Sequence, residues 1–412
     1  ARIGVPIVTK KAVTPKKNAF RINPCISNEF MTNPPVLLDD TWSDRAIKNA
    51  EKKKPPPRFF DGLYIVYLFD DNRMTNIPIE RFCMKKSSVL RDIGEFGLHR
   101  RIQEILGNPS PGVLVGIGDD AAVIQSTSRP LVMTQDAMVE GIHFRTAWTT
   151  AADLAYKALA ANISDLAAKA AQPLYGLIAL GIPGDTPISW LEEFYQTLAH
   201  LRHEWGLEII GGDTVASPRI VVSITAIGSL IPPEPVRIDS ARVGDRILVT
   251  GTLGDATAGL EILEHPRESS SEEFSPFLIQ RFRRPLPRLR ESQAIVSTVL
   301  PSSMTDISDG LARDLPKLCH ASGVGAKVMA ENLPRSRELC MYTPESTRYA
   351  WKGGEEYELL FTLPPDQVER FHRDWDSSRC RLTVIGEITD LREGIRVDGL
   401  DISDPAGFDH FR

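Results

Sequence analysis

Residues 151–182 read AADLAYKALAANISDLAAKAAQPLYGLIALGI, and this stretch decides the fold class. Residues 151–171 are rich in Ala and Leu and contain no Gly or Pro, which predicts a strong helix. Residues 175–182 form an apolar run of strand length. A helix followed at once by a strand is typical of an α/β domain.

Helix and strand patterns alternate on both sides of this stretch, so the predicted fold class is α/β (α+β). Further strands are predicted at 113–117, 131–134, 209–210, 220–227, 247–250, 358–363, 383–388 and 395–397. Further helices are predicted at 94–106, 187–205, 256–263, 288–299 and 311–321, with a loose polar loop at 265–275.

The strongest interior linker signal is Ile-Pro-Pro-Glu-Pro at 231–235. It predicts an N-terminal domain at 89–234 and a C-terminal domain at 235–412, with residues 1–88 as an N-terminal extension. A chain of 412 residues has room for both domains, because a domain takes roughly 100–200 residues.

Composition excludes several classes of protein. Hydrophobic residues make up 42% and charged residues 25%, which is ordinary for a globular protein and excludes a largely disordered chain, a collagen and a coiled coil. No apolar run approaches the roughly 18 residues of a membrane helix, and we expect no secretory leader. The five cysteines never form CxxC, so we expect a reducing, cytoplasmic environment without disulfides or zinc knuckles.

Charge is unevenly distributed. Residues 1–88 contain 16 Lys and Arg against 9 Asp and Glu, whereas residues 89–412 contain 32 against 45. This pattern predicts a weakly structured basic extension, which is an arm for an anionic partner, or else a disordered leader or an over-extended gene start. We favour the second interpretation, with Met84 as a natural start. With a net charge of −6 for the whole chain, nucleic-acid binding is not expected.

Five short segments carry acidic residues at strand ends or in glycine-rich turns. They are GIGDDA at 116–121, TQD at 134–136, NISD at 162–165, GGDT at 211–214 and DISDG at 306–310. Carboxylates at the ends of parallel strands point into the ligand crevice of an α/β protein, and there they repel one another unless cations lie between them. Oxygen ligands without His or Cys select Mg²⁺ or Ca²⁺ over zinc, and Mg²⁺ completes its shell with substrate phosphates. The sequence therefore predicts several Mg²⁺ ions around a polyphosphate.

Each acidic segment alone has a simpler interpretation. Asp309 is suited to cap the helix that begins at Leu311, and Asp213 to turn the chain. Asp165 is different, because it lies inside an apolar helix, where an acid needs a partner. The five segments together favour metal binding.

Other motifs are absent or incomplete. Residues 116–121 fit GxGxxA, but two central Asp residues would repel a pyrophosphate. The chain has no P-loop, no HExxH and no GxSxG, and His372-Arg373-Asp374 lacks the other parts of a protein-kinase catalytic loop.

Nine stretches, in order over about 320 residues, resemble the thiamine-monophosphate kinase family, which shares a superfamily with aminoimidazole ribonucleotide synthetase and selenophosphate synthetase. They are GEF at 94–96, GIGDDAAVI at 116–124, TQDAMVEGIHF at 134–144, LAYKALAANISDLAAKAAQP at 154–173, GGDT at 211–214, RVGDRILVTGTLGDA at 242–256, TDISDGLARDL at 305–315, GGEEYELLFT at 353–362 and GFDHF at 407–411.

The resemblance implies a fold, an activity and partners. The fold is the two-domain aminoimidazole ribonucleotide synthetase-like fold, whose N-terminal strands form a barrel across a homodimer. The activity is ATP-dependent phosphorylation of thiamine monophosphate to thiamine diphosphate by direct in-line transfer, with several Mg²⁺ ions and no phosphoenzyme. We expect ATP and thiamine monophosphate as small-molecule partners, and no membrane partner.

The resemblance also implies roles for individual residues, none of which is a covalent catalyst. The expected Mg²⁺ ligands are Asp120, Thr134, Gln135, Asp136, Asp165, Asp213, Asp306 and Asp309. The expected ATP contacts are Gly212, Asp213, Ser308, Arg237 and Tyr195, and the expected contacts to thiamine monophosphate are His143, Glu355 and Phe408. Three of these residues also have purely structural interpretations: Tyr195 in the core, Phe408 pinning the C-terminal tail, and His143 as a loop residue.

Three positions depart from the family pattern. Gln135 replaces a hydroxyl residue, Glu356 is one methylene longer than the pattern's Asp, and Arg237 is displaced by one position. Two alternatives within the superfamily remain: another ATP-dependent enzyme with a different small-molecule acceptor, or a relative without catalytic activity. A nucleic-acid role would depend on the basic extension alone.

Overall fold

The computed structural model describes residues 67–70, 73–76, 89–119, 121–266 and 273–403, with only the backbone of 67–70, 73–76, Glu95 and Phe96. The predictions for Asp120 and Phe408, and nearly all of those for the extension, lie outside the described residues. The described residues fall into two units, one within residues 1–86 and one within 87–412.

In the first unit, strand β1 (Tyr67–Asp70) pairs antiparallel with β2 (Arg73–Asn76) as a short hairpin.

The second unit begins with alternating helices and strands, as predicted. Its N-terminal elements are α1 (Leu90–Leu106), β3 (Val113–Val115), β4 (Val123–Ile124), β5 (Leu131–Val139), α2 (Ala151–Ala168), β6 (Ala171–Ile182), α3 (Ile188–Trp205), β7 (Glu208–Ala216) and β8 (Val221–Leu230). The main sheet of this half has the strand order β5-β8-β6-β7, and β3 pairs with β4 beside it.

Only β6 and β7 of that sheet are parallel; β5 with β8 and β8 with β6 are antiparallel. The expectation that the acidic residues stand at the carboxyl ends of parallel strands is therefore wrong for Asp136. Asp136 lies in the middle of the nine-residue strand β5, opposite Ile224. Its neighbourhood is set by the alternation of side chains along the strand, not by a strand end.

Helix α2 is buried along almost its whole length, because it is covered on more than one side. It packs on β5, β6 and β8 of its own sheet and also on elements of the C-terminal half. A helix that is apolar nearly all round belongs in such a position. The few polar side chains of α2 must therefore find partners in the protein interior.

The C-terminal half contains a second, larger sheet with helices around it. Its elements are β9 (Arg246–Thr250), α4 (Asp255–Glu264), α5 (Ser275–Arg283), α6 (Leu289–Thr298), β10 (Ser303–Ile307), α7 (Leu311–Ser322), β11 (Gly325–Met329), α8 (Arg337–Tyr342), α9 (Ser346–Lys352), β12 (Glu358–Leu363), α10 (Pro365–Asp374), β13 (Leu382–Thr389) and β14 (Ile395–Asp398). The strand order is β10-β12-β9-β13-β11-β14, and every adjacent pair is antiparallel except β11 with β14.

Strands β10 and β11 and helices α5, α8, α9 and α10 were not predicted from the sequence. The two strands have five residues each, and α8 and α9 have six and seven, which is too short to show a clear period. Helix α5 begins with Ser275 at the end of the predicted loose loop and continues for nine residues. None of the described helices is long and apolar enough to cross a membrane.

Candidate active site

The site is built around α2, whose polar residues fall on two faces. Lys157 and Ser164 are seven residues apart and so lie on one face, whereas Asn162 and Asp165 lie three apart on a neighbouring face. The first face meets the C-terminal half and the second meets β5. Helix α2 therefore brings residues of both halves to one place.

On the β5 side, Thr134 and Asp136 alternate with exposed residues and point toward α2. The Thr134 hydroxyl donates a hydrogen bond to Oδ2 of Asp165. The backbone N–H of Asp136 donates to Oδ1 of Asn162 at 3.3 Å. The partner that Asp165 needs inside an apolar helix is thus the Thr134 hydroxyl.

On the C-terminal side, the Ser164 hydroxyl donates to Oδ2 of Asp306 at 2.6 Å. Asp306 is the fourth residue of β10, is 6% exposed, and begins the segment 306–310, which we call the DISDG loop. The N–H groups of Ser308 and Asp309 both donate to Oδ2 of Asp314, at 3.1 Å each. Asp314, in the first turn of α7, was not predicted as a site residue, and only the TDISDGLARDL stretch around it marks it in the sequence.

Four predicted acids and Asp314 thereby form one group, which we call the carboxylate cluster: Asp136, Asp165, Asp306, Asp309 and Asp314. Burial raises the pKa of Asp136 to about 6, with added repulsion from Asp165 and Asp309. Burial likewise raises the pKa of Asp306 to about 7, and here too the charge of Asp165 adds to the effect.

Burial also raises the pKa of Asp314 to about 7, and Asp309 adds repulsion. The pKa of Asp165 is raised by burial, against the opposing effects of the Thr134 hydrogen bond and of Lys317 and Lys169. These carboxyl groups are close enough to disfavour one another's charge, and two lysines are too few to neutralise five acids.

A second segment, Gly353–Tyr357, which we call the GGEE loop, packs directly on the DISDG loop. The N–H of Glu355 donates to the carbonyl of Ser308 at 2.6 Å, and that of Tyr357 donates to the carbonyl of Ile307 at 2.9 Å. Glu355 and Tyr357 have φ angles of 62° and 54°, which cost a non-glycine residue about 1–2 kcal/mol each. Such strain is typical of segments held in place for function.

Gly310 shows why the DISDG loop ends in glycine. Its φ is +99°, and a Cβ atom there would lie 2.6 Å from the carbonyl oxygen of Lys352. Only glycine permits this close approach between the two loops.

Glu355 does not lie free in the site. Its Oε2 atom accepts a hydrogen bond from the ammonium of Lys157 at 2.8 Å, and 27% of its side chain is exposed. The Lys157 side chain is 1% exposed, and its Nζ lies 3.6 Å from the ring centroid of Phe282. Burial lowers the pKa of Lys157, and Glu355 opposes this by favouring the charged form. Lys157 was not singled out from the sequence.

Glu356 has a structural role at the start of α4. Its Oε1 atom accepts hydrogen bonds from the N–H groups of Gly254 and Ala256, at 2.9 and 3.1 Å, so it caps the first turn of α4. The residue is 1% exposed, and burial followed by repulsion from Asp255 raises its pKa well above the usual range. This departure from the family pattern therefore lies at a helix N-terminus and outside the carboxylate cluster.

Gly212 and Asp213 lie on β7, at the opposite edge of the sheet from β5. The register pairs Asp213 with Ala179, and its side chain is exposed. Gly212 has φ +153°, and a Cβ there would lie 2.0 Å from the carbonyl oxygen of Ile178. Strand packing therefore requires glycine at position 212, whether or not this residue also contacts a ligand.

Two more predicted residues lie on or beside the sheet. Gln135 is exposed on the face opposite Thr134 and Asp136, and its side-chain NH₂ donates to the Ser223 hydroxyl at 2.9 Å. Gly116 belongs to the GIGDDA segment. A Cβ atom at Gly116 would lie 3.9 Å from the carbonyl oxygen of Ile210. Gly116 therefore lies beside β7.

Tyr195, which was expected to contact the nucleotide, is instead a core residue. It is 3% exposed on α3, and its ring lies 5.3 Å from that of Phe194. Burial raises the pKa of its hydroxyl. Its position on the apolar face of α3 leaves no surface for an adenine ring.

Arg237 and His143 each bind a residue close to them in sequence. The Arg237 guanidinium, 63% exposed, binds the Asp239 carboxylate, and its backbone carbonyl accepts from Met304 on β10. His143 lies in the turn after β5, where its Nδ1 accepts the N–H of Val139 at 3.0 Å. This hydrogen bond favours the neutral tautomer with its proton on Nε2.

The donor set of the carboxylate cluster fits magnesium. Within the described residues, no three His, Cys, Asp or Glu side chains are already arranged as a metal cage. Mg²⁺ does not need one, because it uses one or two carboxylates, several waters and substrate phosphates. The cluster supplies oxygen ligands only, and its raised pKa values indicate negative charge that a cation would stabilise.

The chain matches two family models. Residues 118–230 match the AIR synthase related protein, N-terminal domain, and residues 242–398 match the AIR synthase related protein, C-terminal domain. The thiamine-monophosphate kinase of Aquifex aeolicus (strain VF5) is 36% identical over 329 residues, which are 78% of this chain and 99% of that protein.

Two solved structures are similar over most of the chain. The crystal structure of thiamine-monophosphate kinase from Stenotrophomonas maltophilia K279a has a TM-score of 0.66 and 35% identity, and the match covers 74% of this chain and 97% of that one. The structure of AaThiL complexed with AMPPCP and TMP has a TM-score of 0.62 and 35% identity, and the match covers 79% of this chain and 100% of that one.

Proposed function

This chain belongs to the thiamine-monophosphate kinase family, and from that premise we propose that it transfers the γ-phosphoryl group of ATP to thiamine monophosphate, yielding thiamine diphosphate and ADP. The observation that carries the proposal is the convergence of Asp136, Asp165, Asp306 and Asp309 from three separate elements into one buried, mutually repelling group. Carboxylates grouped in this way suit a metal-dependent reaction of polyphosphates.

The residues that we propose as Mg²⁺ ligands are Asp136, Asp165, Asp306 and Asp309 of the cluster, with Thr134 and the backbone carbonyl of Gln135 assisting, and with Asp120 and Asp213 as further ligands. Bound Mg²⁺ would neutralise phosphate charge and align the transferring group. Thr134 and Ser164 fix the orientation of the Asp165 and Asp306 carboxylates through their hydrogen bonds. Asp314 fixes the backbone of Ser308 and Asp309.

For ATP we propose Gly212, Asp213, Ser308 and Arg237 as contacts, without Tyr195. The DISDG loop stands just before α7, where the helix N-terminus favours negative charge. No residue has to form a covalent intermediate, because phosphoryl transfer depends chiefly on positioning and charge stabilisation. Direct in-line transfer is therefore our proposed mechanism.

For thiamine monophosphate we propose His143, Glu355 and Phe408 as contacts. Lys157 holds one oxygen of the Glu355 carboxylate, so the partly exposed side chain has a fixed orientation in which to face a cationic ring. We propose that the imidazole of His143, whose Nδ1 accepts the N–H of Val139, faces the substrate phosphate.

We further propose a homodimer in which the N-terminal sheets meet through their uncovered faces. Leu131, Met133, Leu177 and Val215 lie on β5, β6 and β7 and are 40, 63, 36 and 54% exposed. An apolar sheet face of this kind is typical of an interface. We retain 89–234 and 235–412 as the two domains of the protomer.

The test is product formation by purified protein with ATP and MgCl₂, with and without thiamine monophosphate, followed by chromatography of thiamine diphosphate. Product that requires thiamine monophosphate and is lost with EDTA and in Asp136→Asn supports the proposal. Glu193→Gln, an exposed change on α3, is the matched control and should behave as the parent protein. ATP binding without thiamine diphosphate formation would indicate another acceptor or a relative without this activity.

A further inference from the structure

Lys157 is an unusual residue for the centre of a helix, since lysine is rarely fully buried without a strong reason. Within the described part of the chain, its ammonium binds the Glu355 carboxylate at 2.8 Å and lies 3.6 Å from the centroid of the Phe282 ring. Because Phe282 lies in α5 and Glu355 in the GGEE loop, both neighbours belong to the C-terminal half. A buried cation with one carboxylate and one aromatic face has a strongly defined position.

The GGEE loop needs such an anchor. Glu355 and Tyr357 both have positive φ, so the loop backbone is held away from its preferred conformation. The same two residues donate the backbone hydrogen bonds to Ser308 and Ile307. The position of the DISDG loop thus depends on the conformation of the GGEE loop.

We infer that Lys157 is a positioning residue: by binding Glu355 it holds the GGEE loop, and through that loop it holds Ser308 and Asp309 in register with the carboxylate cluster. This inference rests on the proposed function, because the cluster is the site whose geometry it sets. Lys157 itself acts through Glu355.

The geometry of α2 supports a role for Lys157 in positioning the DISDG loop as well as in stability. Lys157 and Ser164 are separated by two helical turns, about 10 Å, on the same face. Ser164 binds Asp306 at the start of the DISDG loop, and Lys157 fixes the loop that braces its other end. One rigid helix therefore fixes both ends of the segment 306–309.

The primary test compares the parent protein with Lys157→Met, which keeps the length and apolar body of the side chain but removes the charge and the donor. Hydrogen exchange is measured by mass spectrometry on peptides covering 353–357 and 358–363. We expect exchange at 353–357 to accelerate by at least about tenfold, while β12 changes much less. We also expect a rise of about tenfold to a hundredfold in the KM for ATP or in the Mg²⁺ concentration for half-maximal rate.

Lys327→Met is the matched control, because Lys327 is also paired with an acid, Asp398 at 3.3 Å, but is 43% exposed on β11. It should change neither the exchange at 353–357 nor the KM values. Equal acceleration in all peptides of Lys157→Met, or unchanged exchange and KM with only a lowered melting temperature, would show a purely structural role and overturn the inference.

Lys157→Met leaves the Glu355 charge without its partner, so the double variant Lys157→Met/Glu355→Gln is included to remove both charges. We expect hydrogen exchange at 353–357 to stay fast in the double variant even if the melting temperature of that variant recovers. Recovery of slow exchange together with the melting temperature would contradict it. The exchange results are independent of turnover, so a parent protein that forms no thiamine diphosphate would contradict the proposed function alone.

Discussion

The hydroxyl of Ser164 on α2 lies 2.6 Å from Oδ2 of Asp306 on β10, which joins residues 142 positions apart across the two halves of the molecule. Asp306 belongs to the carboxylate cluster. Burial and repulsion from neighbouring acids disfavour the charged form of its carboxyl group. The hydrogen bond orients this carboxylate but cannot neutralise it. The arrangement is therefore costly without a cation and useful with one.

We expect Asp306→Asn to stabilise the metal-free protein and to abolish activity. The amide keeps an oxygen for the Ser164 hydroxyl but removes a buried negative charge, so the free energy of unfolding should rise by about 1–3 kcal/mol at pH 8. The rate of thiamine diphosphate formation should fall by at least about 100-fold. Thermal unfolding with and without MgCl₂ tests both effects, and a variant less stable than the parent without metal would contradict the first.

The stability of the metal-free protein should depend on pH because the pKa of Asp136 is raised in the native state. Its pKa is about 6 in the native protein against 3.8 for an unperturbed group, so between these values the native state keeps a proton that the unfolded state has lost. The stabilising contribution is present at low pH and is lost as pH rises through about 6.

Denaturant unfolding of the metal-free protein from pH 4 to 8 should therefore show the parent losing about 2–3 kcal/mol relative to Asp136→Asn as pH rises. Glu193→Gln serves as the exposed control and should run parallel to the parent. A constant difference in the free energy of unfolding between the parent and Asp136→Asn across this range would show that the pKa of Asp136 is not raised.

Glu356→Asp should lower stability without changing substrate KM values. The shorter side chain cannot keep both hydrogen bonds from the N–H groups of Gly254 and Ala256, so we expect a loss of about 1–2 kcal/mol in the free energy of unfolding. Denaturant unfolding and steady-state kinetics measure the two quantities. A large change in the KM for ATP with unchanged stability would place Glu356 in the active site instead of at the cap of α4.

Met133→Asp should dissociate the proposed homodimer. Met133 is 63% exposed on the uncovered face of the N-terminal sheet, so the charge should be tolerated by a protomer but not at the centre of an apolar interface. Light scattering after size-exclusion chromatography should give the mass of a protomer for the variant and twice that mass for the parent. Met341→Asp, a change on α8 at a residue 47% exposed, is the control and should remain dimeric.

Local sequence pattern determined most of the secondary structure and marked most of the acids that the fold brings together. The helix at 151–168 and the strands at 358–363 and 395–398 follow from residue type and spacing along a few turns or strand positions. The motif stretches also marked Asp136, Asp165, Asp306 and Asp309, whose side chains the fold brings together. These features depend on neighbours close in sequence or on short motifs.

Only the tertiary structure decided which of those residues meet and what else supports them. Tyr195 and Glu356 have the residue types of a binding site, but packing places one in the core of α3 and the other on the first turn of α4. Asp314 and Lys157 carry no signal in their own spacing, because their partners lie in other elements. The physical reason is that α2, buried between β5 and the C-terminal half, brings together polar groups that the chain itself holds far apart.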